Sequence, residues 1–154
     1  MEITAKMVSE LREKTGVGMM KCKEALVESK GNQQEAYDVL RKKGLAGADS
    51  KAGRKASQGW IAAMLSPDGH AASLLEMNCE TDFVGMTPEF QQLTQGLSAI
   101  QLSNKNLKTP QALSEQKLSD GQVAEEKRKL LVTKVGENIV LKRHDRLEIA
   151  KGNH

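Results

Sequence analysis

The chain has 154 residues, the size of one domain or of a small module joined to one domain. Hydrophobic residues make up 38% and charged residues 28%, as in an ordinary globular protein, and no apolar run approaches the ~20 residues of a membrane-spanning helix. The N-terminus lacks the apolar block of a signal peptide and the two cysteines form no CxxC pair, so we expect a reduced, cytoplasmic protein. A net charge of +3 and 3% aromatic residues argue against a protein that binds nucleic acid by stacking bases.

Residues 1–45 predict three short amphipathic helices that form a compact module. Thr4 and Asn32 are suitable N-caps for the first and third helices, while Gly16 and Gly44 are expected to end those same two helices. Apolar residues at helical spacing give the three helices their buried faces: Val8 and Leu11, then Met19, Cys22, Ala25 and Leu26, then Ala36, Val39 and Leu40.

Residues 46–58 predict a basic linker rich in Gly, Ala and Ser. The surrounding stretch 41–59 holds six Lys or Arg residues against Asp49 alone, a local charge of +5. The favoured interpretation is a solvated, partly helical connector. Two others stay open: a basic patch that faces an acidic partner, and an RNA-binding segment whose affinity would fall steeply with salt.

Residues 59–154 predict an α+β core in which helices pack on a small antiparallel three-stranded sheet. A Pro67–His70 turn between two apolar runs, GWIAAMLS and AASLLEMNC, indicates a hairpin. Thr87 and Pro88 begin a helix, and a second helical region runs to Lys134 with a possible break near Ser119. The alternating run ENIVLKRHDRLEI predicts the third strand.

The chain carries no recognisable catalytic constellation. The glycines of Gly16-Val17-Gly18 join two helices and do not form a phosphate-binding loop, which needs a different spacing after a strand. The three histidines have no metal-ligand spacing, and the Glu125-Glu126 pair fits a solvated helix face. We therefore expect a binding or regulatory protein without a cofactor or a bound metal, and not an enzyme.

The stretch CETDFVGMTPEF places Asp82 and Phe83 together in a short connector between a strand and a helix. From the residues alone, the favoured interpretation buries the Phe83 ring in the protein's own core, with Asp82 or Thr81 capping backbone amides. The alternative presents the connector outward, so that the ring anchors in a partner's pocket.

Three longer motifs carry a resemblance to a known family. LREKTGVGMMKCKEAL, MNCETDFV and KVGENIVLKR occur in the order and at the spacing of the elongation factor Ts family, which the chain resembles from residue 3 to about residue 148. Members of that family bind elongation factor Tu, a GTPase, and speed the release of its GDP. The resemblance implies a ubiquitin-associated-like fold for the N-terminal module and, for the rest, half of the family's core.

The resemblance also implies which residues meet the partner, and it reverses the preference for a buried Phe83. In the family, the Asp-Phe pair pushes between helices of the GTPase near its bound magnesium and disturbs the metal's coordination. The segment that matches consists of Thr81, Asp82, Phe83 and Val84. The N-terminal module docks elsewhere on the same GTPase domain, through positions that correspond to Leu11, Arg12, Thr15, Gly16, Val17, Gly18, Met19 and Met20.

One departure from the family pattern concerns length. Family members usually continue past the third motif with a second half of the core, so we expect this chain to be a truncated or naturally short member. A homodimer could supply a substitute for that half, and a scaffold that binds the GTPase without exchanging its nucleotide is the alternative function. No direct nucleotide binding and no membrane contact are expected.

Overall fold

The structure, a computed structural model, describes residues 2–150 and 152; the other residues of the predicted first and last segments, 1, 151, 153 and 154, lie outside the described residues. The fold is α+β, as predicted, with three helices followed by helices packed on a three-stranded antiparallel sheet. The elements are α1 Ala5–Thr15, α2 Met19–Glu28, α3 Gln33–Asp49, β1 Gln58–Leu65, β2 Ala71–Cys79, α4 Asp82–Gly85, α5 Pro88–Ser103, α6 Pro110–Ser114, α7 Ala124–Val135 and β3 Ile139–Glu148.

Local capping chemistry sets both ends of α1 and the start of α3. The Thr4 hydroxyl accepts a hydrogen bond from the backbone N–H of Met7, and the side-chain amide oxygen of Asn32 accepts from the N–H groups of Gln34 and Glu35 in the first turn of α3. Gly16 adopts the left-handed conformation (φ 67°) directly after α1 and bonds back to Arg12. The predicted caps are confirmed at these positions.

The prediction that Gly44 ends the third helix is wrong. Helix α3 continues through Gly44 and Gly47 to Asp49, because these glycines serve packing and not chain reversal. A Cβ on Gly44 would come 3.0 Å from Cδ2 of Leu130, and one on Gly47 would lie 3.5 Å from the Thr133 hydroxyl. The missing side chains let α7 approach closely. The division into 1–45, 46–58 and 59–154 stays a prediction, although its first boundary falls inside α3.

Helix α3 joins two separate hydrophobic cores. Its first half contributes Ala36 and Leu40 to the core of the N-terminal module, and Ala48 belongs to the larger core under the sheet. Polar contacts fasten α3 to α7 as well: the Thr133 hydroxyl donates to the Gly44 carbonyl at 2.6 Å, and Asp49 pairs with Lys129 at 3.0 Å. The module therefore sits on a shared helix, packed against the core.

The sheet has the order β1-β2-β3, and the predicted hairpin is confirmed. Its inner face packs on the helices through buried Leu75, Met77 and Cys79. Its outer face carries exposed apolar side chains. The register places Leu65, Ala72 and Leu147 side by side across the three strands, and Ala63 next to Leu74.

The helical region after the polar loop breaks as predicted. Helix α6 ends at Ser114, a turn closes at Gly121 (φ 84°), and α7 begins at Ala124. Gly136 ends α7 in the left-handed conformation, and β3 begins three residues later at Ile139. Across the described part of the chain, no helix combines the length and the apolar character needed to cross a bilayer.

Candidate partner-binding surface

The connector predicted between β2 and α5 is a single helical turn. We call residues 81–86 the Phe83 turn. Thr81 is the N-cap of α4, and its hydroxyl accepts from the Val84 N–H at 3.5 Å. The N–H of Met86 closes the turn on the Asp82 carbonyl at 3.1 Å. The short connector expected from sequence thus contains a capped helix of four residues.

The turn divides its residues between solvent and core. Phe83 is 78% exposed, so the interpretation that buries its ring is wrong, and Met86 beside it is 72% exposed. Asp82 is exposed too, and its carboxylate accepts from the Phe83 N–H at 3.0 Å. Val84 is only 8% exposed and belongs to the main core. Its side chain therefore anchors the turn in the core, and its role at the partner contact stays a prediction.

A close backbone contact supports the turn from below. Gly59 in β1 has φ 147°, and a Cβ there would lie 2.1 Å from the Met77 carbonyl oxygen of the paired strand. Gly85 packs against the same residue, since a Cβ on Gly85 would come 3.3 Å from the Gly59 carbonyl oxygen. The two glycines let the turn lie flat on the start of the sheet.

A network of carboxylates holds the entrance to the turn. Glu137, in the loop after α7, accepts the backbone N–H groups of Glu80 and Thr81 at 3.1 and 3.0 Å with one oxygen, and the Thr81 hydroxyl at 2.6 Å with the other. Glu80 in turn accepts the Asn138 N–H at 2.8 Å and pairs with Arg54 at 3.1 Å. The two loops are thus cross-linked by hydrogen bonds to charged groups, which are stronger than neutral ones.

The thiol of Cys79 lies under this network and is fully buried. Burial and, next, the charge of Glu137 raise its pKa to about 11, and its S–H donates to the Thr81 carbonyl at 3.0 Å. A thiol held neutral in this way is a poor nucleophile. Within the described ranges no group of three or more His, Cys, Asp or Glu residues could hold a metal ion.

The predicted docking residues of the N-terminal module lie at the α1–α2 junction, but they differ in accessibility. Leu11 is completely buried in the module's core, so it supports the junction from inside, and its partner contact stays a prediction. Thr15 and Val17 are half-buried, and the Thr15 hydroxyl donates to the Leu11 carbonyl at 2.7 Å. Five residues are exposed: Arg12, Gly16, Gly18, Met19 and Met20.

A shallow groove runs along this junction and is lined by residues 16–21 together with Thr133 and Lys134 of α7. Lys134 crosses the base of the junction: a Cβ on Gly16 would lie 2.7 Å from its Cε, and its ammonium pairs with Glu89 at 2.5 Å. None of the residues of the Phe83 turn lines the groove. The structure therefore presents two candidate contact areas, one with an exposed ring and one with two exposed methionines.

The basic stretch is partly neutralised within the chain. Arg41 pairs with Glu126, Lys43 with Glu28 at 2.5 Å, and Arg54 with Glu80. Half of its six cations are thus engaged in ion pairs, which weakens the interpretation of a free basic patch for RNA or an acidic partner.

Sequence reasoning missed Glu137, Glu80 and Asn138 as supports of the Phe83 turn. The only signal was the Gly-Glu-Asn sequence at 136–138, which reads as an ordinary helix end before a strand. A contact 56 residues away in the chain, such as the one between Thr81 and Glu137, leaves no local pattern.

Comparison with known proteins finds relatives along nearly the whole chain. A family model described as Elongation factor TS matches residues 80–154. Proteins named Elongation factor Ts are similar along nearly the whole chain: one from Hydrogenovibrio crunogenus is 47% identical over 148 residues, covering 96% of this chain and 50% of that protein. One from Clostridium kluyveri is 45% identical, covering 97% and 49%, and one from Methylococcus capsulatus is 42% identical, covering 99% and 52%. The chain spans about half the length of these curated relatives, and it belongs to the elongation factor Ts family.

Proposed function

We propose that this chain acts in translation elongation, in the cytoplasm, as a guanine nucleotide exchange factor for elongation factor Tu. The observation that carries the proposal is the Phe83 side chain, 78% exposed on a turn that the core and two loops hold in place. A large exposed ring is costly to leave in water, and aromatic anchors often supply most of an interface's binding energy.

The proposed mechanism needs no bond-breaking chemistry and no nucleotide site in this chain. Phe83 enters the GTPase beside the magnesium end of its nucleotide site, and Asp82 supplies a charge at the same place. Bound Mg²⁺ neutralises phosphate oxygens and is the largest local charge of such a site. Displacement of the helix that holds the metal lowers the affinity for GDP.

Thermodynamic linkage sets the size of the effect. If the exchange factor weakens GDP binding by some ratio, GDP weakens binding of the factor by the same ratio. Couplings of this kind are typically ~1–3 kcal/mol, or roughly 5–150-fold. Thr81 and Val84 contribute to the proposed site by fixing the turn, and the exposed residues at the α1–α2 junction form a second contact with the same GTPase.

Stopped-flow release of fluorescent GDP from elongation factor Tu tests the proposal. We expect the release rate to rise with the concentration of this chain and to reach a plateau. An unchanged rate at saturating protein contradicts the exchange function. If calorimetry then detects tight binding with the unchanged GDP release rate, the chain is a scaffold that binds the GTPase without exchanging its nucleotide.

We also propose that two copies of this chain associate through the outer face of the sheet. Leu65, Leu74 and Leu147 are 72%, 46% and 59% exposed there; Leu65 and Leu147 flank Ala72 across the strands, and Leu74 lies two residues further along β2. Contiguous exposed apolar side chains of this kind mark interaction surfaces. Sedimentation equilibrium should give a dimer mass for the wild type and a monomer mass for Leu65→Glu. Val27→Glu, on the exposed side of α2, is the matched control, and a monomeric wild type contradicts the proposal.

A further inference from the structure

Two glutamates hold the two loops at the end of the sheet, because the carboxylate of each accepts backbone N–H groups of the other's loop. Glu137 accepts the N–H groups of Glu80 and Thr81, while Glu80 accepts the N–H of Asn138. The Glu137 carboxylate uses both oxygens on residues 80 and 81, immediately before Asp82 and Phe83. This reciprocal arrangement connects the loop after α7 to the first residue of the Phe83 turn.

The turn needs such outside support. A single helical turn is unstable alone, because its nucleation fixes several backbone dihedrals for one hydrogen bond. Here the local cap is long, 3.5 Å between the Thr81 hydroxyl and the Val84 N–H. The three contacts from Glu137 lie between 2.6 and 3.1 Å and involve an ionised acceptor. Glu137 therefore fixes the start of the turn more firmly than the turn's own cap.

The linker is part of the same support. Arg54 pairs with Glu80 and also donates to the Gly136 carbonyl at 3.2 Å. The Asn138 side-chain amide donates to the carbonyls of Ala52 and Arg54 at 3.3 and 2.8 Å. The segment that leads out of α3 is thereby bound to the loop that carries Glu137.

We propose that Glu137 is the positioning residue of Phe83: its carboxylate clamps residues 80 and 81 and thereby fixes the direction in which the exposed ring points. The consequence for nucleotide release rests on the proposed function, whereas the clamp itself does not. Without the clamp, Val84 still anchors the turn in the core, but the exposed half of the turn samples several orientations. A mobile ring must be ordered when it binds, and the free energy spent on ordering it reduces the fraction of complexes in which the ring reaches its binding position.

Fluorine NMR on the chain labelled with 4-fluorophenylalanine tests the clamp directly. The chain contains two phenylalanines, one 78% exposed at position 83 and one fully buried at position 90, so the Phe90 line reports whether the fold is intact. We expect Glu137→Ala to narrow the Phe83 line and move it towards the shift of the free amino acid, while the Phe90 line stays in place. Glu137→Gln should keep the wild-type Phe83 line, because its amide can still accept from both N–H groups and donate to the Thr81 hydroxyl.

Hydrogen exchange of the backbone amides gives a second readout. The Glu80 and Thr81 amides should exchange at least about tenfold faster in Glu137→Ala than in the wild type, as expected for a lost charged acceptor. Glu115→Ala, which removes an exposed glutamate at the end of α6, is the matched control and should change neither readout. A Phe83 line and amide rates that are unchanged in Glu137→Ala overturn the proposal. If the Phe90 line shows that this variant unfolds, Glu137→Asp takes its place with the same expectation.

Nucleotide release separates positioning from binding. At saturating protein, Glu137→Ala should lower the maximal rate of GDP release by about tenfold, with a smaller change in the half-saturating concentration, and Glu137→Gln should restore it. The double variant Glu137→Ala/Phe83→Ala should be no slower than Phe83→Ala alone, because both changes remove the same contact. Full activity of Glu137→Ala overturns the link to exchange. An inactive wild type contradicts the proposed function instead, and the fluorine spectra still decide the clamp.

Discussion

Gly85, in the turn that carries Phe83, lies directly against Gly59 at the start of β1. A Cβ on Gly85 would come 3.3 Å from the Gly59 carbonyl oxygen and 3.4 Å from its Cα. Gly59 is itself in the region of positive φ, beside the Met77 carbonyl of the neighbouring strand. The position of the exposed ring thus depends on two residues without side chains that are 26 positions apart.

Replacement of Gly59 should be severely destabilising. We expect Gly59→Ala to lower the free energy of unfolding by at least about 2 kcal/mol, because φ of 147° is strained for alanine and the new Cβ would clash at 2.1 Å with backbone. Gly53→Ala is the matched control, since a Cβ there meets nothing within 4 Å. Urea denaturation measures both, and equal stabilities of the two variants would contradict the packing described for Gly59.

The two phenylalanines should differ sharply in their contribution to stability. Phe83→Ala removes an exposed ring, so we expect a change within about 0.5 kcal/mol, which is about 1–2 °C in Tm for a chain of this size. Phe90→Ala removes a fully buried ring and should cost ~3–5 kcal/mol. Thermal unfolding followed by circular dichroism measures both. A fall of several degrees in Phe83→Ala would place that ring in the protein's own packing.

The α1–α2 junction offers a second matched pair. Met20 is 69% exposed. We expect Met20→Ala to weaken binding to elongation factor Tu by about 1 kcal/mol or more and to leave the free energy of unfolding unchanged. Leu11→Ala should lower the free energy of unfolding by ~2–5 kcal/mol because Leu11 is completely buried. Calorimetry gives the affinities and urea denaturation the stabilities. Undiminished affinity of Met20→Ala would remove the junction from the proposed interface.

The raised pKa of Cys79 predicts a specific loss of stability at alkaline pH. Its pKa rises from the ordinary 9.0 to about 11 in the fold, so between these values the unfolded chain loses the thiol proton while the folded chain keeps it. The contribution of this group is complete below pH 9 and is lost as pH rises to about 11, a change of about 2–3 kcal/mol. The free energy of unfolding of the wild type should therefore fall, relative to that of Cys79→Ala, across this range.

Cys22 and all the other titrating groups are common to both proteins, so the difference between the two pH profiles isolates Cys79. Parallel profiles between pH 9 and 11 would show that Cys79 titrates alike in the folded and unfolded chains.

Local chemistry explains what could be predicted from the sequence. Thr4, Asn32 and Thr87 are N-caps because each has a side-chain oxygen placed before a helical pattern, and the Pro67–His70 turn carries its own hairpin signal. The prediction that Gly44 ends α3 failed for a physical reason. Glycine ends helices, but it also occurs inside a helix where another helix packs closely. Only the position of Leu130 in the fold shows that Gly44 belongs to the second case.

The candidate site was less predictable than the fold. Phe83 and Val84 are adjacent in sequence and lie in opposite environments, and a helix of four residues is too short to show a periodic pattern. The composition favoured a buried Phe83 ring, and only the resemblance to a family predicted that the ring is exposed. Glu137 could not be found because its contacts with Glu80 and Thr81 depend on how β2 and β3 are brought together.

The most direct test compares GDP release from elongation factor Tu at saturating concentrations of the wild type, Phe83→Ala and Val27→Ala. Val27 is 59% exposed on α2 and lies outside the Phe83 turn, the α1–α2 junction and the outer face of the sheet, so its variant controls for the loss of an exposed apolar side chain. We predict acceleration by the wild type and by Val27→Ala, and a plateau rate at least about tenfold lower for Phe83→Ala. Equal plateau rates for all three proteins would contradict the proposed role of Phe83.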